Sequence, residues 1–301
     1  MIERYFQFLG EDQTKQLLEA NEKPLTPSIR VNTIKIDKDT LKDRLLSKGF
    51  KLESIDWINY GLKIKKSPLN LGSTHEYLQG FYYMQSVAPM LPAFILDPNP
   101  SDIVIDMCAA PGGKATHLAQ IMNNEGNLIL IERNRNRIPA LEINLRRLGV
   151  SNSIIINEDA VNLSKMNLKA DKILLDAPCT GEGLIRQDSS RKRSKTMKDI
   201  NKLSSIQRKL LKTGLNSLNP GGQLLYSTCS IAPEENELVI DDVLKDNSDF
   251  AIVKIPYNYG VKGIIDVYNK TLREDIKYSQ RLYPHLHNTI GFFISLIQKI
   301  K

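Results

Sequence analysis

From about residue 100 onward, short apolar runs alternate with stretches of helical periodicity. This alternation restricts the fold more than any other feature of the chain. "DIVIDMC" reads as a strand, "KATHLAQIMNN" as a helix and "NLILIER" as a strand. Residues 134 to 148 place Ile138, Leu141, Leu145 and Leu148 on one helical face, and Gly149 ends it. "SIIIN" and "KILLDAP" are strands. Ile206, Leu210, Leu211, Leu215 and Leu218 form a helix that closes on "NPGG", read as a turn, and "QLLYSTC" and "FFISLI" are further strands. Strands alternating with helices predict an α/β fold with a doubly wound, mostly parallel sheet and helices on both faces.

The first 80 residues carry weaker signals. They read as one helix over Ile2 to Leu18, a strand in "PSIRVNTIKI", a helix in "KDTLKDRLLSKGF" and a strand in "GLKIKK". This is a small α/β domain over 1–78, followed by a large one over 79–301, which suits a chain of 301 residues. The longest uncharged stretch, Tyr77 to Leu96, holds two Gln, a Gly and two Pro, so it reads as a core segment and not a membrane span. The N-terminus lacks the basic start and apolar run of a secretory signal. Three widely spaced cysteines give no disulfide framework, which points to a reducing, cytoplasmic setting. His285 and His287 have no Cys or acid at ligand spacing, so no metal is expected. The net charge of +7 fits a nucleic-acid partner.

"DMCAAPGGKATH", Asp106 to His117, has the look of a phosphate loop without its parts. The Gly expected five positions before Gly113-Lys114 is Cys108, the residue after Lys114 is Ala115, and G-x-G-x-x-G is absent. What the strand ends do share is chemistry. Cys108, Cys179 and Cys229 each follow an apolar strand, "IVIDMC", "ILLDAPC" and "LLYSTC". In a doubly wound sheet, ligands bind beyond the carboxyl ends of the strands. Asp106, Glu132, Asp159 and Asp176 also sit at or just after strand ends, and Glu132 lies about 20 residues past the glycine turn, where a carboxylate meets ribose hydroxyls. Gly112 and Gly113 allow close backbone approach to a ligand. Together these describe a nucleoside pocket, and without a phosphate grip S-adenosylmethionine, a sulfonium among carboxylates, is the better candidate.

"DMCAAPGGKATHLA", "DAPCTGEG" and "YSTCSIAPEENE", with the flanking "PSIRVNT", "GFYYMQSVAPMLP" and "RLYPHLHNTIGFF", resemble the NOL1/NOP2/Sun family of RNA cytosine-5 methyltransferases. The resemblance spans nearly the whole chain, and the short layout looks most like the archaeal tRNA members. It implies a Rossmann-like class I methyltransferase domain preceded by a small RNA-binding region, with S-adenosylmethionine as cofactor, tRNA as partner, and a monomer. It implies that Cys229 is the nucleophile, that Cys179 assists product release and that Asp176 contacts the cytosine. It assigns the cofactor to Cys108, Ala109, Ala110, Pro111, Gly112, Gly113, Lys114, Glu132, Arg137, Asp159 and Asp176, with Lys114 also reaching the substrate side.

The chemistry explains the need for two thiols. Adding a thiolate to cytosine C6 makes C5 nucleophilic toward a methyl group, splitting one hard step into two. Only the thiolate attacks. Charge building toward N3 and O2 calls for a donor, a role for Asp176 if protonated. The C5 proton must then leave so that Cys229 is expelled, the expected task of Cys179. Six Lys or Arg between Arg191 and Lys202 are expected to meet RNA phosphates. Tyr82 and Tyr83 fit core packing better than base stacking. The alternatives are the same reaction on ribosomal RNA, a non-catalytic RNA-binding assembly factor, and DNA methylation, against which the paired "APC" and "STC" thiols speak.

Overall fold

The computed structural model describes residues 2–301. The chain divides into two compact units, one of Met1–Leu25 with Asp159–Lys301, the other Thr26–Glu158. The first unit opens with α1 (Ile2–Leu9) and α2 (Glu11–Asn21), where the sequence suggested one helix. The break is Gly10, whose φ of 78° and ψ of 173° lie in a region that essentially only glycine enters. Its carbonyl then accepts from Thr14 N, so α2 starts afresh.

In the unit Thr26–Glu158, β1 (Ser28–Val31) ends sooner than its β-branched run implies. The Asn32 amide donates to Gly80 O and Leu148 O, both at 2.8 Å, while the Asn32 carbonyl accepts from Lys35 N and Ile36 N. A turn therefore replaces the strand. Asp37 caps α3 (Lys38–Ser47), which buries Leu41 and Leu45 on one face. Two strands follow, β2 (Lys51–Ile55), which the sequence did not reveal, and β3 (Ile58–Lys66). After α4 (His75–Leu78) comes β4 (Tyr82–Met84). These strands form an antiparallel sheet in the order β2-β3-β1-β4 over a core of Ile29, Val31, Leu41, Leu45, Phe50, Leu62, Ile64 and Tyr82. Tyr82 is thus a core residue, its hydroxyl donating to Leu71 O.

The rest of this unit is βαβ. Past α5 (Leu91–Leu96), the strands β5 (Ile103–Asp106), β6 (Asn127–Ile131) and β7 (Ser153–Ile156) pair in parallel. They are linked by α6 (Gly113–Ile121) and α7 (Ile138–Leu148), and Gly149 stops α7 at a φ of 78°.

In the other unit, β8 (Ala170–Asp176) pairs in parallel with β9 (Leu218–Thr228). The connecting α8 (Met197–Asn216) starts nine residues before Ile206, inside the basic stretch, because Thr196 and Asp199 form a capping box there. "NPGG" is not a turn between elements. It bulges within β9, where Ala170 pairs with Leu218 and Lys172 with Gln223. Beyond α9 (Glu237–Leu244) lie β10 (Phe250–Val253), β11 (Val261–Lys262), and the hairpin strands β12 (Asp266–Val267) and β13 (Lys270–Thr271). The unit finishes with β14 (Gln280–Leu282), α10 (Pro284–His287) and β15 (Phe292–Lys299). β15 runs antiparallel to β9, β14 and β10. No helix among the described residues is long and apolar enough to cross a membrane.

Candidate active site

In the unit Thr26–Glu158, β5 ends on Asp106, a buried carboxylate that accepts Cys108 N–H at 3.2 Å. Ala109 N donates across to Ile131 O at 3.0 Å, and Gly112 N to Ala109 O at 2.8 Å, which closes the turn. The Ala110–Pro111 bond is cis. Gly112 has φ 105°, a conformation that favours glycine, and a β-carbon there would lie 3.0 Å from Leu141 Cδ1. Lys114 stands in the first turn of α6, half-buried. Arg137 donates to Ala110 O and, at 3.3 Å, to Glu132 Oε2, while Glu132 Oε1 accepts Asn134 N at 2.8 Å. The turn Cys108–Lys114, Glu132 and Arg137 are therefore gathered at the ends of β5 and β6, with the Glu132 carboxylate 3% exposed.

Arg30 also serves this turn, and the sequence reading missed it. It is fully buried on β1. It donates to Gly113 O at 2.6 Å, Gln85 Oε1 at 3.2 Å and Thr116 Oγ1 at 2.8 Å. Burial pushes its guanidinium down to about 10. The visible signal was a single Arg inside the apolar strand of "PSIRVNT". Tyr83 packs on the same spot, since a β-carbon on Gly113 would lie 3.0 Å from its ring.

The other unit holds Asp159, Asp176, Cys179 and Cys229. Asp159 caps the short 3₁₀ helix after it through Val161 N at 3.1 Å. β8 and β9 pair Asp176 with Ser227, and Ser227 Oγ donates to Asp176 Oδ1 at 2.8 Å. The next turns carry the two thiols, and Cys179 Sγ and Cys229 Sγ share a hydrogen bond of 3.1 Å. Both residues are partly exposed. That hydrogen bond, and then burial, push the Cys179 thiol well above its usual range.

Around the thiols the loops are tied residue by residue. Glu235, fully buried, accepts Thr180 N at 2.8 Å and Thr180 Oγ1 at 2.5 Å. Gln207 on α8 donates to Pro178 O at 2.9 Å and Glu235 Oε1 at 3.2 Å, two acceptors that fix which end of its amide carries hydrogen. Arg191 donates to Thr180 O at 3.0 Å. On the Cys229 side, Gly183 N donates to Cys229 O at 2.9 Å, and Thr228 Oγ1 donates to Asn236 Oδ1 at 2.6 Å. The buried Arg281 donates to both oxygens of Glu237, at 2.5 and 2.6 Å, and to Ile231 O.

The basic stretch splits. Arg191 is tied to Asp188 and the Cys179 loop, and the exposed Lys192 pairs with Glu22. Arg193, Lys198 and Lys202 are exposed. His285 pairs with Gln13 at 2.8 Å, and His287 Nδ1 accepts Tyr283 N at 3.0 Å.

A family model described as 16S rRNA methyltransferase RsmB/F matches residues 93–298. One for the N-terminal domain of 16S rRNA methyltransferase RsmF matches 1–87. The 25S rRNA (cytosine-C(5))-methyltransferase nop2 of Schizosaccharomyces pombe is 37% identical over 306 residues, which cover 100% of this chain and 50% of that one. The tRNA (cytosine(49)-C(5))-methyltransferase of Pyrococcus abyssi is 35% identical over 99% of this chain and 95% of its own length. The crystal structure of a methyltransferase homolog protein from Pyrococcus horikoshii superposes with a TM-score of 0.90 at 43% identity, covering 99% of this chain and 93% of that one. The chain spans half or less of the length of the first curated relatives it matches, 50%, 44%, 36% and 36%. The shared fold is mixed α/β with a mostly parallel central sheet, that of class I methyltransferases with an N-terminal domain.

Proposed function

The chain belongs to the RsmB/F methyltransferase family, whose members depend on S-adenosylmethionine, and we propose that it methylates C5 of a cytosine in tRNA. The observation that carries this reading is the pair of thiols 3.1 Å apart at the ends of two adjacent parallel strands. A binding module needs neither cysteine, and a covalent route to C5 uses both.

The residues of β5, β6 and the turn between β5 and α6 fit a nucleoside cofactor. Glu132 offers a buried carboxylate for ribose hydroxyls, and the Cys108–Lys114 turn offers backbone with glycine at Gly112 and Gly113. S-Adenosylmethionine, when bound, supplies the electrophilic methyl group. Asp159 and Asp176 keep the cofactor roles that the resemblance gives them, Lys114 its place toward the substrate, and residues 1–78 the contact with RNA.

Cys229 Sγ adds to C6 of the cytosine as the thiolate, with the Cys179 S–H donating to it until attack. Asp176, on β8 beside Ser227, meets the base as charge builds toward N3 and O2. With Cys229 bound to C6, the Cys179 thiol releases its proton to solvent, and once C5 carries the methyl group the Cys179 thiolate takes the C5 proton directly or through water. The C–H electrons restore the C5=C6 bond, and the C6–S pair returns to Cys229. When Cys229 is a thioether it no longer draws the Cys179 proton as a thiolate does. The main cause of the raised Cys179 affinity for protons is then relieved as the base is needed.

tRNA is favoured because the Pyrococcus abyssi tRNA enzyme is matched over 95% of its length. Ribosomal RNA is the second reading, supported by the 37% identity to the nop2 protein and by the family descriptions. The test is transfer of labelled methyl to total tRNA and, separately, total ribosomal RNA by wild type, Cys229→Ala and Cys179→Ala, with the product nucleoside identified. The expected result is 5-methylcytidine in tRNA, lost with Cys229→Ala, and a stable protein–RNA adduct with Cys179→Ala. Signal in ribosomal RNA alone would move the substrate. No transfer to either RNA would overturn the reading in favour of a binding factor.

A further inference from the structure

We propose that Glu235 is a positioning residue that sets the Cys179 thiol against Cys229 by holding Thr180 from the far side of the neighbouring loop. The inference rests on the reading of Cys179 as the residue that releases product. Glu235 lies six residues after Cys229 in the chain, and Thr180 directly follows Cys179. One carboxylate oxygen accepts Thr180 N and the other Thr180 Oγ1, so the peptide after Cys179 is gripped in two directions. Gln207 links the same carboxylate to Pro178 O, the carbonyl just before Cys179. Both neighbours of Cys179 thereby answer to one buried acid.

The acid is itself held from its own backbone, where Tyr226 Oη donates to Glu235 O at 2.5 Å. Tyr226 lies in β9, three residues before Cys229, so the strand that delivers one cysteine anchors the residue that places the other. A carboxylate at 0% exposure is costly unless its lone pairs are filled, and here three donors fill them. Removing it leaves Thr180 N–H without its acceptor and Gln207 Nε2 with Pro178 O alone, and the Cys179 peptide is free to turn. Glutamine keeps the shape. Its oxygen accepts Thr180 N, and its amide donates to Thr180 Oγ1.

Two measurements on the full chain test this. In the first, without RNA, diamide oxidises the Cys179 and Cys229 thiols to a disulfide, both protons and two electrons passing to diamide, which becomes the hydrazine. The rate, read by the loss of two hydrogens in intact mass, should fall about tenfold or more in Glu235→Ala and recover in Glu235→Gln. In the second, with RNA and labelled S-adenosylmethionine, Glu235→Ala should lose kcat with little change in KM and accumulate the protein–RNA adduct, as Cys179→Ala does. Glu235→Gln should restore turnover. Thr180→Val, which removes one of the two donors, should show the same pattern more weakly and carries the test if Glu235→Ala does not fold. An unchanged diamide rate in the alanine and valine variants would overturn the proposal. So would lost turnover without adduct while Cys179→Ala accumulates it. A slowed, glutamine-rescued diamide reaction in a protein whose wild type transfers no methyl group would leave the positioning intact and overturn the functional reading instead.

Discussion

Glu182, three residues past Cys179, is a buried acid whose proton affinity burial pushes up to about 7, despite an ion pair with Arg4 at 3.1 Å. In the unfolded chain the ordinary value is 4.5. A group whose folded value is raised favours folding fully below pH 4.5, and that share is lost as pH rises through 7. The difference amounts to about 3 kcal/mol across this window. Glu182→Gln should therefore gain on wild type as pH rises from 4.5 to 8, which urea unfolding at several pH values would measure. A constant gap between the two proteins would rule this out. Single residues were legible in the sequence where chemistry marks them. Cys108, Cys179 and Cys229 stood out because each closes an apolar strand. Arg30, Glu182 and Glu235 did not, because a buried charge is recognised by its partners. Thr180, Gly113 and Arg4 lie tens to hundreds of residues away from them in sequence.

Elements meet at the thiols with no room between them. A β-carbon on Gly183 would fall 2.1 Å from Gly291 O and 2.7 Å from Cys229 O, and one on Gly291 would fall 2.7 Å from Gly183 Cα. Gly183 N donates to Cys229 O and Gly291 N to Gly183 O, both at 2.9 Å, so the clash is with backbone that cannot rotate away. Gly183→Ala and Gly291→Ala should each cost about 1–3 kcal/mol or more, and lower turnover beyond that loss, as thermal melts and kinetics on the same samples would report. The Arg281–Glu237 pair gives a second expectation. Arg281→Leu should cost about 3–5 kcal/mol, because Glu237 is left charged and buried, and Arg281→Leu with Glu237→Leu should cost less than the single change. The measurement is a double-mutant cycle by denaturant unfolding. The long helix α7 and the second half of β9, from Gln223 on, were plain in the sequence, whereas Leu218, read as the end of the preceding helix, opens β9. The break at Gly10 and the bulge at "NPGG" were visible only as glycines, whose consequence depends on φ and on the partner strand. The early start of α8 was hidden because its capping box uses Asp199 amid lysines.

For the whole molecule, the motifs carried more than the composition did. The net charge of +7 suited RNA but distinguished nothing, whereas the ordered motifs named the family that the matches over 1–87 and 93–298 support. Charge returns as a quantity once the basic stretch is divided. If Arg193, Lys198 and Lys202 contact RNA phosphates, changing all three to Ala should lower the slope of log affinity against log salt by about 2 to 3, with no change in melting temperature. Filter binding of tRNA between low and physiological salt would measure it, and an unchanged slope would return these residues to solvent. The back-to-back glycines have one more consequence, for biosynthesis. Gly291 belongs to the approach to β15, which a ribosome delivers more than a hundred residues after Cys179. A nascent chain can translate both cysteines and still lack the backbone against which their loops close. Chains truncated before residue 291 are therefore expected to transfer no methyl group even though they carry both cysteines, and transfer by such chains would contradict this.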